Sequence, residues 1–100
     1  PRDVRAGRAH LSALHRPCDD LGGDFFDVRE TSDGLVFLVA DVVGHGVTAA
    51  MLAGMLATTW ARAVREGGDL EGIHLRLWEM VQEWDDERYL TCFLGQVDRE

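Results

Sequence analysis

The spacing of hydrophobic and polar positions divides this chain into strands followed by helices. Residues 9–14 and 25–29 each indicate a short strand, and residues 35–40 form an unbroken apolar run of strand length. Because this run is apolar at every position, we expect a central strand that is buried on both faces. Residues 31–34, Thr-Ser-Asp-Gly, predict a hairpin turn, since Asp-Gly supplies the positive φ that a tight turn requires.

Two helices are expected after the strands. Residues 47–65 are rich in Ala, Met and Leu and are apolar nearly all round, which predicts a mostly buried helix that ends at Gly67-Gly68. Asp69 is the expected N-cap of a second helix. One apolar stripe at three- and four-residue spacing runs along that helix: Leu70, Ile73, Leu77, Val81 and Trp84.

A polar link at residues 85–88 leads to a last strand at residues 90–97, whose neighbours in a sheet the pattern does not identify. The predicted order is therefore strand, strand, strand, helix, helix, strand. Strands joined by a hairpin and followed by a pair of helices favour an α+β fold with a largely antiparallel sheet.

Composition narrows the function classes. The 100 residues are 46% hydrophobic, enough for the core of one small domain, and the net charge of −8 comes with no lysine. An acidic chain without basic patches is not expected to bind nucleic acid, whereas it suits a protein that binds cations through carboxylates. No signal peptide is visible, and the apolar stretches look too short and interrupted to span a membrane.

The cysteines indicate neither a zinc site nor a disulfide framework. Cys18 and Cys92 lie far apart and form no CxxC pair. Two free thiols fit a reducing cytoplasm, although a single long-range disulfide stays open at this point.

The first motif with candidate chemistry is Gly-Gly-Asp-Phe-Phe-Asp at residues 22–27. Its glycines allow a sharp turn just before a strand, which places Asp24 at the start of that strand. Strand alternation directs Asp24 to one face and Asp27 to the other, so both carboxylates are not expected at one ligand without a bulge. A turn with solvated aspartates explains this motif equally well.

The second motif is Asp-Val-Val-Gly-His-Gly at residues 41–46, between the apolar strand and the first helix. Asp41 ends a strand expected to be buried, where a carboxylate costs free energy unless it is paired or bound to a cation. A hard divalent cation prefers such oxygen ligands, and Gly44 and Gly46 would let backbone groups approach it closely. The positive end of the following helix points to the same region. The alternative is a strand-to-helix turn with a capping aspartate.

The remaining candidate side chains give weaker evidence for a function. His45 could act as a general acid or contact a phosphate, but a turn histidine with a satisfied ring is the simpler interpretation. The other histidines show no metal-binding spacing, and the tryptophans of the second helix are expected to pack in the core or an interface: His10, His15, His74, Trp78 and Trp84.

Taken together, the motifs resemble a known family. The stretches GGDFFDV, LVFLVADVVGHGVTAAMLAGML and YLTCFLGQVD are similar in order and spacing to the SpoIIE/RsbU branch of the metal-dependent PPM phosphatases, relatives of the type 2C enzymes. The resemblance covers about residues 9–99. It implies an αββα sandwich with a binuclear Mn²⁺ or Mg²⁺ site between two sheets, where the metal ions activate a water for phosphate hydrolysis.

The resemblance also implies roles for particular residues. Asp24 and Asp41 match the metal-binding aspartates and are the expected catalytic residues, and the backbone carbonyl of Val42 matches a main-chain metal ligand. Asp27 belongs to the motif without an assigned metal contact. His45 lies farther behind the aspartate than the histidine of type 2C enzymes, so no role is transferred to it.

The implied activity is that of a protein serine/threonine phosphatase. Its substrate would be phosphoserine or phosphothreonine on a small regulatory protein, typically an anti-sigma-factor antagonist. Family domains are longer and bring further metal aspartates from a TDG-like stretch, which residues 1–100 lack. We therefore expect the N-terminal part of one such domain, in a cytoplasmic protein that binds neither nucleic acid nor membrane, with a homodimer left open.

Three other interpretations compete with this one. GGDFF is similar to the GGDEF hairpin of diguanylate cyclases, but Phe25 stands where that motif has an acid. Asp41 to Gly44 is similar to the DxxG segment of GTPases, but a P-loop requires a lysine that this chain lacks. The third alternative stays open: a catalytically incomplete relative that binds a phosphoprotein, or a second copy of itself, as an interaction module.

Overall fold

The computed structural model describes residues 2–6, 9–13, 23–44, 46–85 and 87–98. Its elements are β1 (Arg2–Ala6), β2 (Ala9–Ala13), β3 (Asp24–Thr31), β4 (Gly34–Val42), α1 (Gly46–Arg65), α2 (Leu70–Gln82) and β5 (Leu90–Asp98). The predicted α+β class is confirmed. β1 was missed, because three of its five residues are charged and only Val4 and Ala6 are apolar, which gives little strand signal.

The strands form two antiparallel sheets. β1 pairs with β2, and a second sheet has the order β3-β4-β5, so the predicted central strand is β4. The last strand, whose neighbours the sequence did not identify, pairs with β4 from Gly34↔Asp98 to Val42↔Leu90. These partners are far apart in sequence, which is why local patterns could not reveal the pairing.

The β3–β4 hairpin forms where it was predicted. Thr31 pairs with Gly34 across a two-residue turn, and Gly34 has a φ of 151°. A side chain at this position would also collide with the carbonyl oxygen of Val97 in β5. Gly34 therefore serves the hairpin and the neighbouring strand together.

Both helices pack on one face of the three-stranded sheet, which we call the helix face. The core cluster there consists of Val36, Leu38, Ala40, Val42, Leu56, Trp60, Ala63, Ile73 and Leu77, with Phe25 packed against it. Asp69 caps α2 as predicted, because its side chain accepts a hydrogen bond of 2.8 Å from the backbone N–H of Gly72. The predicted apolar stripe of α2 is confirmed at Ile73 and Leu77, which are buried.

The opposite face of the same sheet, which we call the open face, corrects one expectation. By register and alternation it carries Asp24, Phe26, Val39, Asp41, Thr91 and Phe93. Val39 is 54% exposed and Phe93 65% exposed, so the prediction that β4 is buried on both faces is wrong. Among the described elements, β1 covers the hairpin end of this face, where it contacts β3 and β4 and Leu35 is buried.

The structure also corrects the prediction that the first helix is mostly buried. Its outer side leaves Val47, Met51 and Met55 exposed, while Leu56 and Trp60 pack on the sheet. By length and composition α1 is apolar enough to cross a membrane, so the expectation that no stretch would be long enough is also wrong. The residues of its inner side that are buried within the fold are Ala49, Leu56, Trp60 and Ala63.

Candidate metal site

The two aspartates singled out in separate motifs lie side by side on the open face. Asp24 of β3 is the direct cross-strand partner of Asp41 in β4. The next pair along the two strands, Gly23 and Val42, is a hydrogen-bonded pair, since the N–H of Val42 donates to the carbonyl of Gly23 at 3.0 Å. Hydrogen-bonded and non-hydrogen-bonded pairs alternate along an antiparallel ladder. Asp24 and Asp41 are therefore a non-hydrogen-bonded pair, the kind whose Cα atoms approach to about 4.5 Å and whose side chains are closest.

The electrostatics of this carboxylate pair follow from its geometry. A side-chain hydrogen bond with Asp24 is the main cause that raises the pKa of Asp41, and slight desolvation and the negative charge of Asp24 add to it. Two adjacent carboxylates repel each other unless they share a proton or a cation. The pair is therefore a favourable place for a cation.

The environment of Asp41 differs from the expected one. The aspartate lies within β4, which continues to Val42, and its side chain is exposed. The argument that a carboxylate at a buried strand end requires compensation therefore does not apply. The reason to place a cation here is the neighbouring carboxylate of Asp24.

Backbone contacts fix the carbonyl region behind the pair. A Cβ on Gly23 would lie 2.5 Å from the carbonyl oxygen of Val42, so only glycine allows these strands to approach so closely. On the other side, the N–H of Val43 donates to the carbonyl of Tyr89 at 2.9 Å. The Val42 peptide, predicted as a main-chain ligand, is thus held next to Asp41 from both neighbouring strands.

The loop glycines have a conformational role in addition to the one expected. Gly44 and Gly46 have φ values of 90° and 79°, which other residues rarely adopt, but nothing lies within 4 Å of an added Cβ at either position. They are needed for the backbone conformation that leads from β4 into α1. The expected approach of their backbone groups to a cation stays a prediction. His45 lies outside the described residues.

Asp27 points away from the pair, as strand alternation predicted. It is buried on the helix face at 6% exposure, where it accepts hydrogen bonds from the indole Nε1 of Trp60 at 2.8 Å and from Nε of Arg29 at 2.6 Å. It therefore connects β3 to α1. Sequence reasoning missed this link, because nothing local relates Asp27 to a tryptophan 33 positions later.

A shallow depression of about 430 Å³ lies over the carboxylate pair. It is lined by Asp24, Phe25, Phe26, Val39, Ala40, Asp41, Thr91, Cys92 and Phe93. Among the described residues, no group of three or more His, Cys, Asp or Glu side chains could hold a metal ion. The described part of the chain therefore contributes two carboxylates and one neighbouring carbonyl.

Sequence signals could have brought the pair together. In an antiparallel hairpin, each step back along the first strand is matched by one step forward along the second, so the residue numbers of every pair have the same sum. A two-residue turn pairs residues 31 and 34, with a sum of 65, and residues 24 and 41 have the same sum. The hairpin that the sequence predicted therefore already implied that Asp24 faces Asp41, provided that the strands have no bulge.

Comparison with known proteins identifies the family of this chain. The family profile of Stage II sporulation protein E (SpoIIE) matches residues 31–100. The chain belongs to the SpoIIE family. This SpoIIE-family chain is also similar to the solved structure of the SiaA-PP2C domain of Pseudomonas aeruginosa, with 29% sequence identity and a TM-score of 0.71.

That similarity covers 86% of this SpoIIE-family chain and 37% of the SiaA-PP2C chain. The predicted resemblance to PPM phosphatases is therefore confirmed, and the fold corresponds to part of a PP2C-type phosphatase domain. Such domains are generally metal-dependent, which agrees with a pair of carboxylates on the open face.

Proposed function

We propose that the protein carrying this chain is a metal-dependent serine/threonine phosphatase whose metal ligands include Asp24, Asp41 and the carbonyl of Val42. The observation that carries the proposal is the direct pairing of Asp24 with Asp41 on an exposed sheet face. Family membership makes phosphate ester hydrolysis the reaction to test first.

The donor set fits a hard divalent cation. Mg²⁺ and Mn²⁺ prefer carboxylate, carbonyl and water oxygens, and Mg²⁺ is commonly held by one or two carboxylates with several waters. Of the described residues that line the depression, none is a histidine, and Cys92 pairs with Ala40, which directs its side chain to the helix face. In the proposed site, further ligands of a second metal ion come from outside the described residues.

Residues of this chain would prepare the site in three ways. Asp24 and Asp41 bind the cations and are kept adjacent by the β3–β4 register. Gly23 permits the close strand contact that positions the Val42 carbonyl. The apolar side chains of Phe26 and Phe93 would line the depression beside the pair. When bound, the metal ions supply Lewis-acid activation of a water and of the phosphate group.

The first experiment is Mn²⁺-dependent hydrolysis of a generic phosphate ester by the protein carrying this chain. Asp41→Asn removes one charge without a change of size, and we expect it to reduce kcat/KM by a factor of about 1000 or more, since bound metal ions stabilise the charge of the transition state by several kcal/mol. Asp33→Asn is the matched control, because Asp33 is an exposed aspartate in the turn at the other end of the same sheet.

Equal activity of the wild-type protein and Asp41→Asn would overturn the assignment of Asp41. Equal loss in Asp41→Asn and Asp33→Asn would indicate an effect of charge or folding instead of a metal ligand. Calorimetric titration with Mn²⁺ provides a second readout, in which only Asp41→Asn and Asp24→Asn are expected to weaken binding.

The substrate class within the proposal is phosphoserine or phosphothreonine on a regulatory protein of the anti-sigma-factor antagonist type, in a cytoplasmic setting. Phosphoserine, phosphothreonine and phosphotyrosine peptides of one sequence would test it. We expect release of phosphate from the first two, and faster hydrolysis of the phosphotyrosine peptide would contradict the proposal.

A second candidate function is an interaction module that binds a phosphoprotein without hydrolysis. It is favoured by the limited donor set, since the described residues offer no cluster of three metal-binding side chains. Retention of a phosphopeptide in the presence of Mn²⁺, with no phosphate released over many hours, would support this function against the enzyme.

A further inference from the structure

The row of side chains that contains the carboxylate pair continues onto β5. Asp24 pairs with Asp41, and Asp41 pairs in turn with Thr91 on its other side. Direct cross-strand partners point to the same face of a sheet, so all three side chains face the depression over the pair. The site described above thus has a third polar member that neither motif contained.

Thr91 differs chemically from the two aspartates. Of the described side chains that line the depression, the Thr91 side chain alone has an oxygen that can donate a hydrogen bond when the aspartates are ionised. It is exposed, and within the described part of the chain this hydroxyl has no hydrogen-bond partner. A donor without a partner, beside two acceptors of negative charge, suits an anionic oxygen of a ligand.

The pairing geometry separates Thr91 from the aspartates slightly. The N–H of Val43 donates to the carbonyl of Tyr89, so Val43 and Tyr89 form a hydrogen-bonded pair. Since the two kinds of pair alternate along the ladder, Asp41 and Thr91, two positions farther on, form a hydrogen-bonded pair as well. Such pairs have Cα atoms about 5.5 Å apart, compared with about 4.5 Å for the other kind. Thr91 is therefore expected to lie slightly farther from Asp41 than Asp24 does, on the same face of the sheet.

We propose that Thr91 is a substrate-binding residue whose hydroxyl donates a hydrogen bond to an oxygen of the phosphate group held at the Asp24–Asp41 pair. This inference rests on the proposed function and assigns a specific phosphate contact within it. Two carboxylates alone would repel a phosphate, so a neutral donor in the same row helps to orient the ligand while the cations neutralise the charge.

Thr91→Val tests the hydroxyl alone, because valine keeps the branched shape and the strand preference of threonine. The probe is inorganic phosphate, titrated calorimetrically into the Mn²⁺-loaded protein that carries this chain. We expect phosphate affinity to fall about tenfold, the typical effect of one hydrogen bond to a charged group. Mn²⁺ affinity is expected to stay unchanged, and Thr91→Ser is expected to restore phosphate binding.

Thr31→Val is the control, since Thr31 is a half-buried threonine of the same sheet at the hairpin end, far along β3 from Asp24. Equal phosphate affinity in wild type and Thr91→Val would overturn the proposal. An equal loss of Mn²⁺ affinity would also overturn it, because Thr91 would then act through Asp41. Wild-type protein that binds Mn²⁺ and phosphate but hydrolyses no ester would contradict the proposed function and leave the Thr91 contact testable by the same titration.

Discussion

The two faces of the β3-β4-β5 sheet place aspartates in opposite environments. On the helix face, Asp27 is buried and accepts hydrogen bonds from Trp60 and Arg29. On the open face, Asp24 is exposed and faces a second carboxylate, Asp41. Asp24 and Asp27 both belong to β3 and lie three positions apart in one motif. Asp27 stabilises the fold through its hydrogen bonds. The charge of Asp24 adds no such stabilisation, because it lies beside the like charge of Asp41.

The largest expected effect compares two neighbouring residues of β4 on opposite faces. Leu38 is fully buried against the helices and Val39 is 54% exposed. Leu38→Ala is expected to lower the free energy of unfolding by about 4 kcal/mol, since it leaves a cavity. Val39→Ala is expected to change it by no more than about 0.5 kcal/mol. Urea unfolding measures both, and a cost at Val39 equal to that at Leu38 would mean that the open face is covered in the protein.

The next effect concerns the buried aspartate. Asp27→Ala leaves the indole N–H of Trp60 without its acceptor in the core and releases Arg29. We expect a loss of about 3 kcal/mol in the free energy of unfolding, because a buried polar group loses its partner. Asp24→Ala is the matched control on the other face and is expected to cost nothing in the presence of EDTA. A similar loss in both variants would remove the distinction between the faces.

A smaller effect is expected at the contact behind the pair. Gly23→Ala introduces a Cβ at 2.5 Å from the Val42 carbonyl oxygen, which the adjacent strands cannot easily relieve. We expect a loss of about 2 kcal/mol in unfolding free energy together with weaker Mn²⁺ binding. Gly54→Ala is the control, because nothing lies within 4 Å of a Cβ at this exposed helical position. It is expected to stabilise the protein by about 1 kcal/mol.

The smallest effect has the opposite sign. The pKa of Asp41 is raised in the folded protein, mainly by its hydrogen bond with Asp24. The stability that comes from protonated Asp41 is therefore complete below the unfolded pKa and is lost as the pH rises through the folded pKa. In EDTA, Asp41→Asn is expected to melt slightly higher than wild type at neutral pH and at the same temperature in strong acid. Added Mn²⁺ should reverse the order at neutral pH, by raising the melting temperature of the wild type alone.

The sequence predicted those features that depend on neighbours in the chain. The cap at Asp69, the turn before Gly34 and the alternation that separates Asp24 from Asp27 all follow from local rules and are confirmed. The exposed side of α1 was predicted wrongly, because an apolar composition does not say which side meets a partner. The pairing of β5 and the hydrogen bond from Trp60 to Asp27 depend on contacts between distant residues, which no local pattern contains.

The two-residue turn between β3 and β4 has a consequence for how this chain can vary. A turn of this length is compatible with several residue types at positions 32 and 33, so substitutions are expected there among related chains. Its length is not, because one inserted residue would shift β4 by one position and rotate the Asp41 side chain to the helix face. Among related chains, insertions should therefore be rare between residues 24 and 41 even where the identity of the turn residues changes.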